Sequence, residues 1–230
     1  MITNPVSRLR HGVVVLCHAE GDEPFSFPAY IAAFAKAAEM GGAVGIRAQG
    51  AESIASVRKA VGLPIIGISR GSYPDGWALI TPDFSDIESL VAAGADLVAL
   101  DVTGRIRPNG MDGFSFLELA RKRFSFPLVA DVSTVDEGLR AAELGADMIA
   151  TTLSGYTPYT EALADNFPDF NLIERLTAEV KIPVLAEGRI WTPSEAAHAI
   201  KCGAYAVVVG SAITRPRIIT QRFVEILKNM

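Results

Sequence analysis

The sequence predicts an α/β protein folded as a (β/α)8 barrel, and two observations carry that expectation. Four segments repeat one pattern, in which a helix end of small residues passes through a glycine into an apolar run. They are residues 37–47 (AAEMGGAVGIR), 91–101 (VAAGADLVALD), 141–151 (AAELGADMIAT) and 199–210 (AIKCGAYAVVVG). The alanines that follow the glycines, Ala43, Ala95, Ala146 and Ala204, lie 52, 51 and 58 residues apart, the mark of an internally repeated architecture. The second observation is that further apolar runs fall between these segments, each opened by a proline: Pro64-Ile-Ile-Gly-Ile, Pro127-Leu-Val-Ala-Asp and Pro183-Val-Leu-Ala-Glu. Proline is tolerated at the first residue of a strand.

Taken in chain order, residues 12–17 form the first strand, and Ser26 before Pro28 starts the first helix. The segment ending at Arg47 brings the second strand, the Pro64 run the third and the segment ending at Asp101 the fourth. After the Pro127 run, Thr134 with Glu137 reads as a capping box opening a helix. The segment ending at Thr151 is then the sixth strand and the Pro183 run the seventh. Thr192, Pro193 and Glu195 open the next helix, and the segment ending at Gly210 completes the set of eight. The runs are continuous rather than alternating, as parallel strands buried on both faces require. A doubly wound open sheet is the alternative; the even repeat and a length near the roughly 250 residues usual for a barrel favour closure. Phe114, Phe116, Phe124 and Phe126 read as packing under the barrel or in its helix layer.

The chain has 230 residues, half of them apolar and 20% charged, with a formal net charge of −5. That balance excludes disorder and makes nucleic acid and anionic membrane poor partners. No linker interrupts the pattern, so one domain is expected over residues 1–230. The apolar runs fall far short of the roughly 20 residues of a spanning helix. The early run Val13–Cys17 gives way to His18 and Glu20 too soon for a secretory signal. Cys17 and Cys202 form no metal or CxxC spacing and read as reduced thiols, so a cytoplasmic location is expected. His11 and His198 read as surface or packing residues.

In a barrel the active site lies at the carboxyl ends of the strands. The residues there, in order, are His18, Arg47, Arg70, Asp101, Asp131, Thr152, Glu187 and Gly210-Ser211. Asp131 and Glu187 are candidate acid/base groups, because neighbouring carboxylates can have their pKa values driven apart. Either could instead be a structural partner of Arg47 or Arg70, Asp131 more readily than Glu187. His18 is the histidine placed for chemistry. The loops Glu187-Gly188-Arg189 and Gly210-Ser211-Ala212 follow strands seven and eight, where barrels commonly hold phosphate. Glycine admits close backbone approach, and Arg189 and Arg215 could add guanidinium donors. No Rossmann or Walker motif and no Cys/His cluster is present, so neither a nucleotide nor a metal site is expected. Residues 71–76, rich in glycine and proline, could form a moving lid over the rim.

These motifs resemble the N-acetylmannosamine-6-phosphate 2-epimerase family over essentially the full chain. The resemblance is carried by Gly42-Ala-Val-Gly-Ile-Arg47, Leu100-Asp-Val-Thr103, Ala130-Asp-Val-Ser-Thr134, Thr151-Thr-Leu-Ser-Gly-Tyr-Thr157, Ala186-Glu-Gly-Arg189 and Val209-Gly-Ser-Ala-Ile-Thr-Arg215. It implies a (β/α)8 barrel that acts on a phosphorylated amino sugar without an organic cofactor. It further implies Glu187 in proton transfer, Asp131 and Arg47 near the sugar, and the region of Gly188, Gly210 and Arg215 about the phosphate; the rim position adds Thr152 as a substrate-binding candidate, and the two loops add Arg189 and Ser211 to the phosphate set. The chain departs from the family at two positions, with Arg70 where the family carries lysine and His18 where it carries glutamine. Arginine stays protonated and cannot abstract a proton, so Arg70 is expected to hold an enediolate, with His18 or Asp131 as second proton carrier. Two alternatives stay open on those exchanges: a phosphate-binding barrel enzyme of altered reaction, and a sugar-phosphate-binding protein without turnover. Oligomeric state is also open, a homo-oligomer included.

Overall fold

A computed structural model describes residues 4–19, 23–71, 80–161 and 167–228. Its strands are β1 (Val13–Cys17), β2 (Gly45–Gln49), β3 (Ile65–Ile68), β4 (Leu97–Asp101), β5 (Leu128–Asp131), β6 (Met148–Ala150), β7 (Val184–Glu187) and β8 (Ala206–Val209). They close into one parallel barrel in sequence order, sealed where Val13, Val14 and Val15 of β1 align with Val207, Val208 and Val209 of β8. The connecting helices are α1 (Pro28–Met40), α2 (Ala51–Ala60), α3 (Phe84–Ala92), α4 (Gly113–Arg123), α5 (Val135–Glu143), α6 (Phe170–Glu179) and α7 (Pro193–Lys201). A single turn, α8 (Ser211–Thr214), and then α9 (Pro216–Lys228) follow β8. The barrel that the repeats and proline-opened runs predict is therefore the fold. Residues 72–76 of the stretch read as a lid lie outside the described residues.

Alternation along each strand sorts its side chains into two layers. Val14 and Leu16, Ile66 and Ile68, Leu97 and Ala99, Val129, Met148 and Ala150, Leu185, and Ala206 and Val208 fill the interior. Their neighbours, such as Val15, Ile46, Val98, Leu100 and Ala130, pack outward under the helices. Phe116 joins that outer layer, stacked on Phe84 at 4.5 Å between ring centroids. At the amino end of the strands Leu9, fully buried after a 3-10 turn (Ser7–Leu9), plugs the barrel. Gly45 makes room for it: a Cβ there would sit 2.6 Å from Leu9 Cδ2.

Helix starts follow local chemistry. The capping boxes at Thr134/Glu137 and Thr192/Glu195 are both formed. Asp83, Asp112 and Asp169 cap α3, α4 and α6 through their carboxylates, which the sequence pattern had not singled out. Ser26 is not a cap. The residue before α1 is Phe27, with no side-chain cap, and the fixed φ of Pro28 opens the helix instead. The strand that sequence ends at Arg47 runs on to Gln49, because Gln49 still pairs in register with Ile68 of β3. Among the described residues no helix is long and apolar enough to cross a membrane. None of the side chains of α9 is buried, and Phe223, Ile226 and Leu227 are each about two-thirds exposed, at 68, 67 and 68%.

Candidate active site

The inward face at the carboxyl end of the barrel carries charge in place of the apolar packing below it. Arg47 and Gln49 share one face of β2, two residues apart, and Asp131 and Glu187 continue the interior rows of Val129 and Leu185. Arg47 is fully buried and binds both carboxylates. Its Nη1 donates to Asp131 Oδ1 at 3.0 Å and to Glu187 Oε2 at 2.8 Å, and Nη2 donates to Asp131 Oδ2 at 2.6 Å. Thr152 Oγ1 donates to Asp131 Oδ1 at 2.6 Å. Thr151 Oγ1 fastens the end of β7, accepting from Glu187 N at 3.0 Å and donating to Glu187 O at 2.9 Å.

One guanidinium thus faces two carboxylates, and their electrostatics differ from those of an isolated ion pair. Burial works against the charge on Arg47, but Asp131 and Glu187 more than offset it and hold the guanidinium protonated. For Glu187 burial dominates, and the Asp131 charge adds to it. Together they outweigh Arg47, the Thr152 hydroxyl and Arg70, and push the carboxyl up to about 7. A carboxyl poised near neutrality exchanges a proton readily, which an ordinary surface glutamate at pH 7 does not.

Above this triad opens a cavity of about 660 Å³. Of the residues marked by the sequence, His18, Arg70, Thr152 and Glu187 line it, with Gly188, Arg189, Gly210, Ser211 and Arg215 along the β7–β8 side. Arg47 and Asp131 do not line it; they lie beneath Glu187 and reach the cavity through it. Asp131, fully buried, gives both oxygens to Arg47 and Thr152. Asp101 is also off the cavity, bonded to Thr103 and ion-paired with Arg105.

The two arginines of the phosphate reading are built differently. Arg189 sits at φ +56° beside Gly188 at φ +119°. Its Nε and Nη1 donate to the carbonyls of Phe167 at 2.7 Å and Ser154 at 2.6 Å, which pins neighbouring loops. Arg215 pairs with buried Glu23, Nη2 to Oε1 at 2.9 Å. Gly210 sits between β8 and the turn α8, and its amide region borders the cavity with Ser211.

Three lining residues with polar or aromatic side chains escaped the sequence reading. Gln49, Tyr156 and Trp191 all face the cavity, and Arg222 of α9 covers the Trp191 ring at 3.9 Å. Gln49 was legible in principle, since a two-residue step from Arg47 along a strand keeps the same face. Trp191 and Tyr156 are placed by loop conformation, for which no periodicity exists.

Fold and site define a (β/α)8 barrel of the enzyme type, with a carboxylate poised for proton transfer at the mouth and cations and glycine turns around it. Comparison with known proteins narrows this. Residues 31–229 match a family described as "Putative N-acetylmannosamine-6-phosphate epimerase", and the chain belongs to that family. Proteins named "Putative N-acetylmannosamine-6-phosphate 2-epimerase" from Caldanaerobacter subterraneus and Clostridioides difficile are 47% and 42% identical to it. The alignments cover 97% of this chain in both cases, and 94% and 99% of those proteins. The solved structure of the N-acetylmannosamine-6-phosphate 2-epimerase from Clostridium perfringens superposes with a TM-score of 0.92 at 41% identity, covering 98% of this chain and 97% of that one. A thiamine phosphate pyrophosphorylase from Pyrococcus furiosus, at 19% identity and a TM-score of 0.61, shares the fold.

Proposed function

We propose that this protein interconverts N-acetylmannosamine 6-phosphate and N-acetylglucosamine 6-phosphate by removing and returning the proton on C2. The observation that carries the reading is Glu187. It is the carboxylate among the described residues lining the cavity, is held from below by Arg47, and is raised toward neutrality by burial. In the open-chain sugar the C2 hydrogen lies alpha to the C1 aldehyde. Glu187 takes that proton, the C2–H electron pair moves into a C1–C2 double bond, and the C1 oxygen becomes the oxyanion of an enolate. Arg70, a permanent cation on the same cavity, stabilises that oxygen. A proton delivered to the opposite face of C2 re-forms the aldehyde with inverted configuration.

The second delivery falls to His18 rather than Asp131. His18 lines the cavity, whereas Asp131 is enclosed by Arg47 and Thr152. The phosphate lies toward Gly188, Gly210, Ser211 and Arg215, where backbone amides and a guanidinium converge. The reaction as written needs no organic cofactor. A phosphorylated sugar crosses a bilayer poorly because its charge is costly to desolvate, which supports the cytoplasm as the compartment. The exposed apolar face of α9 supports a homo-oligomer, which sedimentation analysis tests.

The test of the reaction follows the C2 proton of N-acetylmannosamine 6-phosphate by NMR in deuterated water. Wild type exchanges it and accumulates the epimer; Glu187→Gln does neither. Absence of exchange with wild type, or undiminished exchange with Glu187→Gln, overturns the reading.

A further inference from the structure

We infer that Gln49 is the residue that recognises the acetamido group of the substrate, an inference that rests on the epimerase reading above. Gln49 ends β2 and turns into the cavity, one pleat nearer its mouth than Arg47. Its Oε1 is buried, and among the described residues no group donates a hydrogen bond to it. Buried side-chain acceptors are nearly always satisfied, and one that faces a ligand cavity is satisfied by what the cavity holds. The group it calls for is an N–H or O–H donor.

Position selects among the substrate's donors. The glycine turns and Arg215 draw the phosphate to the β7–β8 side. Glu187, on β7, takes the hydrogen of C2. The nitrogen on the same carbon points away from that carboxylate, toward the opposite wall. In the ring order of the barrel β3 stands across from β7, and Gln49 on β2 stands next to it, between the strands that lead to His18 and Arg70. The acetamido N–H is the sugar's only N–H donor, and an amide oxygen is its natural acceptor.

The consequence is mechanistic as well as selective. With the phosphate held at one end and the acetamido group at the other, C2 inverts while both large substituents stay in place. The planar intermediate then shows its two faces to different parts of the wall. Gln49 carries no proton in this scheme; it discriminates and orients. A site built to accept a hydrogen bond penalises a ligand that lacks the donor.

The experiment is a two-by-two comparison by isothermal titration calorimetry, with turnover of wild type measured alongside. The ligands are N-acetylmannosamine 6-phosphate and 2-deoxyglucose 6-phosphate, which keeps the phosphate and lacks any substituent at C2. Gln49→Leu is expected to weaken binding of the acetamido sugar by about tenfold or more and to leave that of the deoxy sugar unchanged. Gln49→Glu, which keeps an acceptor oxygen, should retain most of the preference and guards against simple misfolding. Equal losses for both ligands in Gln49→Leu, or a preference that survives intact, overturns the assignment while wild-type turnover keeps the epimerase reading standing. Wild type that binds both sugars equally but still turns over the acetamido sugar also overturns it. Wild type with no turnover of the acetamido sugar removes the reading itself and this inference with it.

Discussion

Arg47 and Asp131 meet in a two-pronged ion pair, Nη1 to Oδ1 at 3.0 Å and Nη2 to Oδ2 at 2.6 Å, with both side chains out of contact with solvent. The same Nη1 reaches Glu187, so removing the guanidinium strands two carboxylates beside each other. Breaking a buried pair by deleting one partner costs about 3–5 kcal/mol. Arg47→Met should therefore lose roughly that much stability in urea unfolding at pH 8. Adding Asp131→Asn should recover part of it, because the pair of mutations removes the repulsion that the single one creates. A double variant as unstable as the sum of its parts would show that the triad is not electrostatically coupled.

Glu187 ties function to stability through its proton. Its carboxyl titrates at about 7 in the folded protein instead of the usual 4.5. The folded state therefore binds a proton that the unfolded state releases at lower pH. The sign follows: this contribution is complete below pH 4.5 and is lost as pH rises through about 7, to a total of about 3 kcal/mol. Glu187→Gln, neutral at every pH, should unfold later than wild type at pH 8 and show a flatter dependence between pH 5 and 8. In catalysis the direction reverses, because the base must be deprotonated, and wild-type kcat/KM should fall below about pH 7. A wild-type profile flat from pH 5 to 8 in both measurements would contradict the raised carboxyl.

Much of this was legible in the residues, and the exceptions have physical causes. Proline-opened apolar runs and the Gly-Ala repeats mark strands whatever their tertiary partners, so all eight strands were readable. Strand ends were less so: β2 reads as finished at Arg47 because a charge follows apolar residues, yet pairing with β3 carries it to Gln49. The rim position of Glu187 followed from its place at the carboxyl end of the proline-opened run of strand seven. What sequence could not assign was the division of labour between Asp131 and Glu187. That depends on which carboxylate the Arg47 fork encloses, and the choice is made by the side-chain positions of three strands distant in sequence.

Arg70 stands where the family resemblance implies lysine, and the two cations differ in kind. Arginine is permanently charged and planar; lysine is a compact point charge that can lose its proton when buried. The surroundings here suit a fixed cation, since Arg70 shares its cavity with the Glu187 carboxyl on β7 and His18 after β1. Arg70→Lys should lower kcat, by roughly tenfold, and Arg70→Met by about 100-fold or more, the scale of losing one oxyanion donor. A rise in kcat for Arg70→Lys would mean that arginine impairs a lysine-dependent site.

His18 follows β1 and Glu187 ends β7 on the same cavity, so on the proposed reading their losses should separate exchange from inversion. His18→Gln leaves Glu187 able to remove and return the proton on its own face. The C2 hydrogen of one epimer should still wash out into deuterated water at near the wild-type rate. Interconversion of the epimers should fall by about 100-fold, the usual lower range for a lost general acid. Rates of exchange and interconversion measured in the same NMR time course give the ratio directly. Retention of both at wild-type rates would assign the two proton transfers to Glu187 alone, and parallel loss of both would place His18 in a step that exchange and inversion share.

At the other end of the barrel, Gly45 and Leu9 offer a control for all of these. Leu9 is fully buried where the strands begin, and a Cβ at Gly45 would stand 2.6 Å from its Cδ2. Gly45→Ala forces the leucine or the β2 backbone to move, an overpacking cost of about 1–3 kcal/mol. Leu9→Ala opens a cavity instead, at about 2–5 kcal/mol. Together they should cost less than their sum, because the new methyl enters the space that the leucine leaves. Guanidinium unfolding of the four proteins measures the coupling, and additive losses would show that the two residues do not share that space. Because the plug lies at the amino ends of the strands and the cavity at their carboxyl ends, kcat of folded Gly45→Ala should stay within about twofold of wild type.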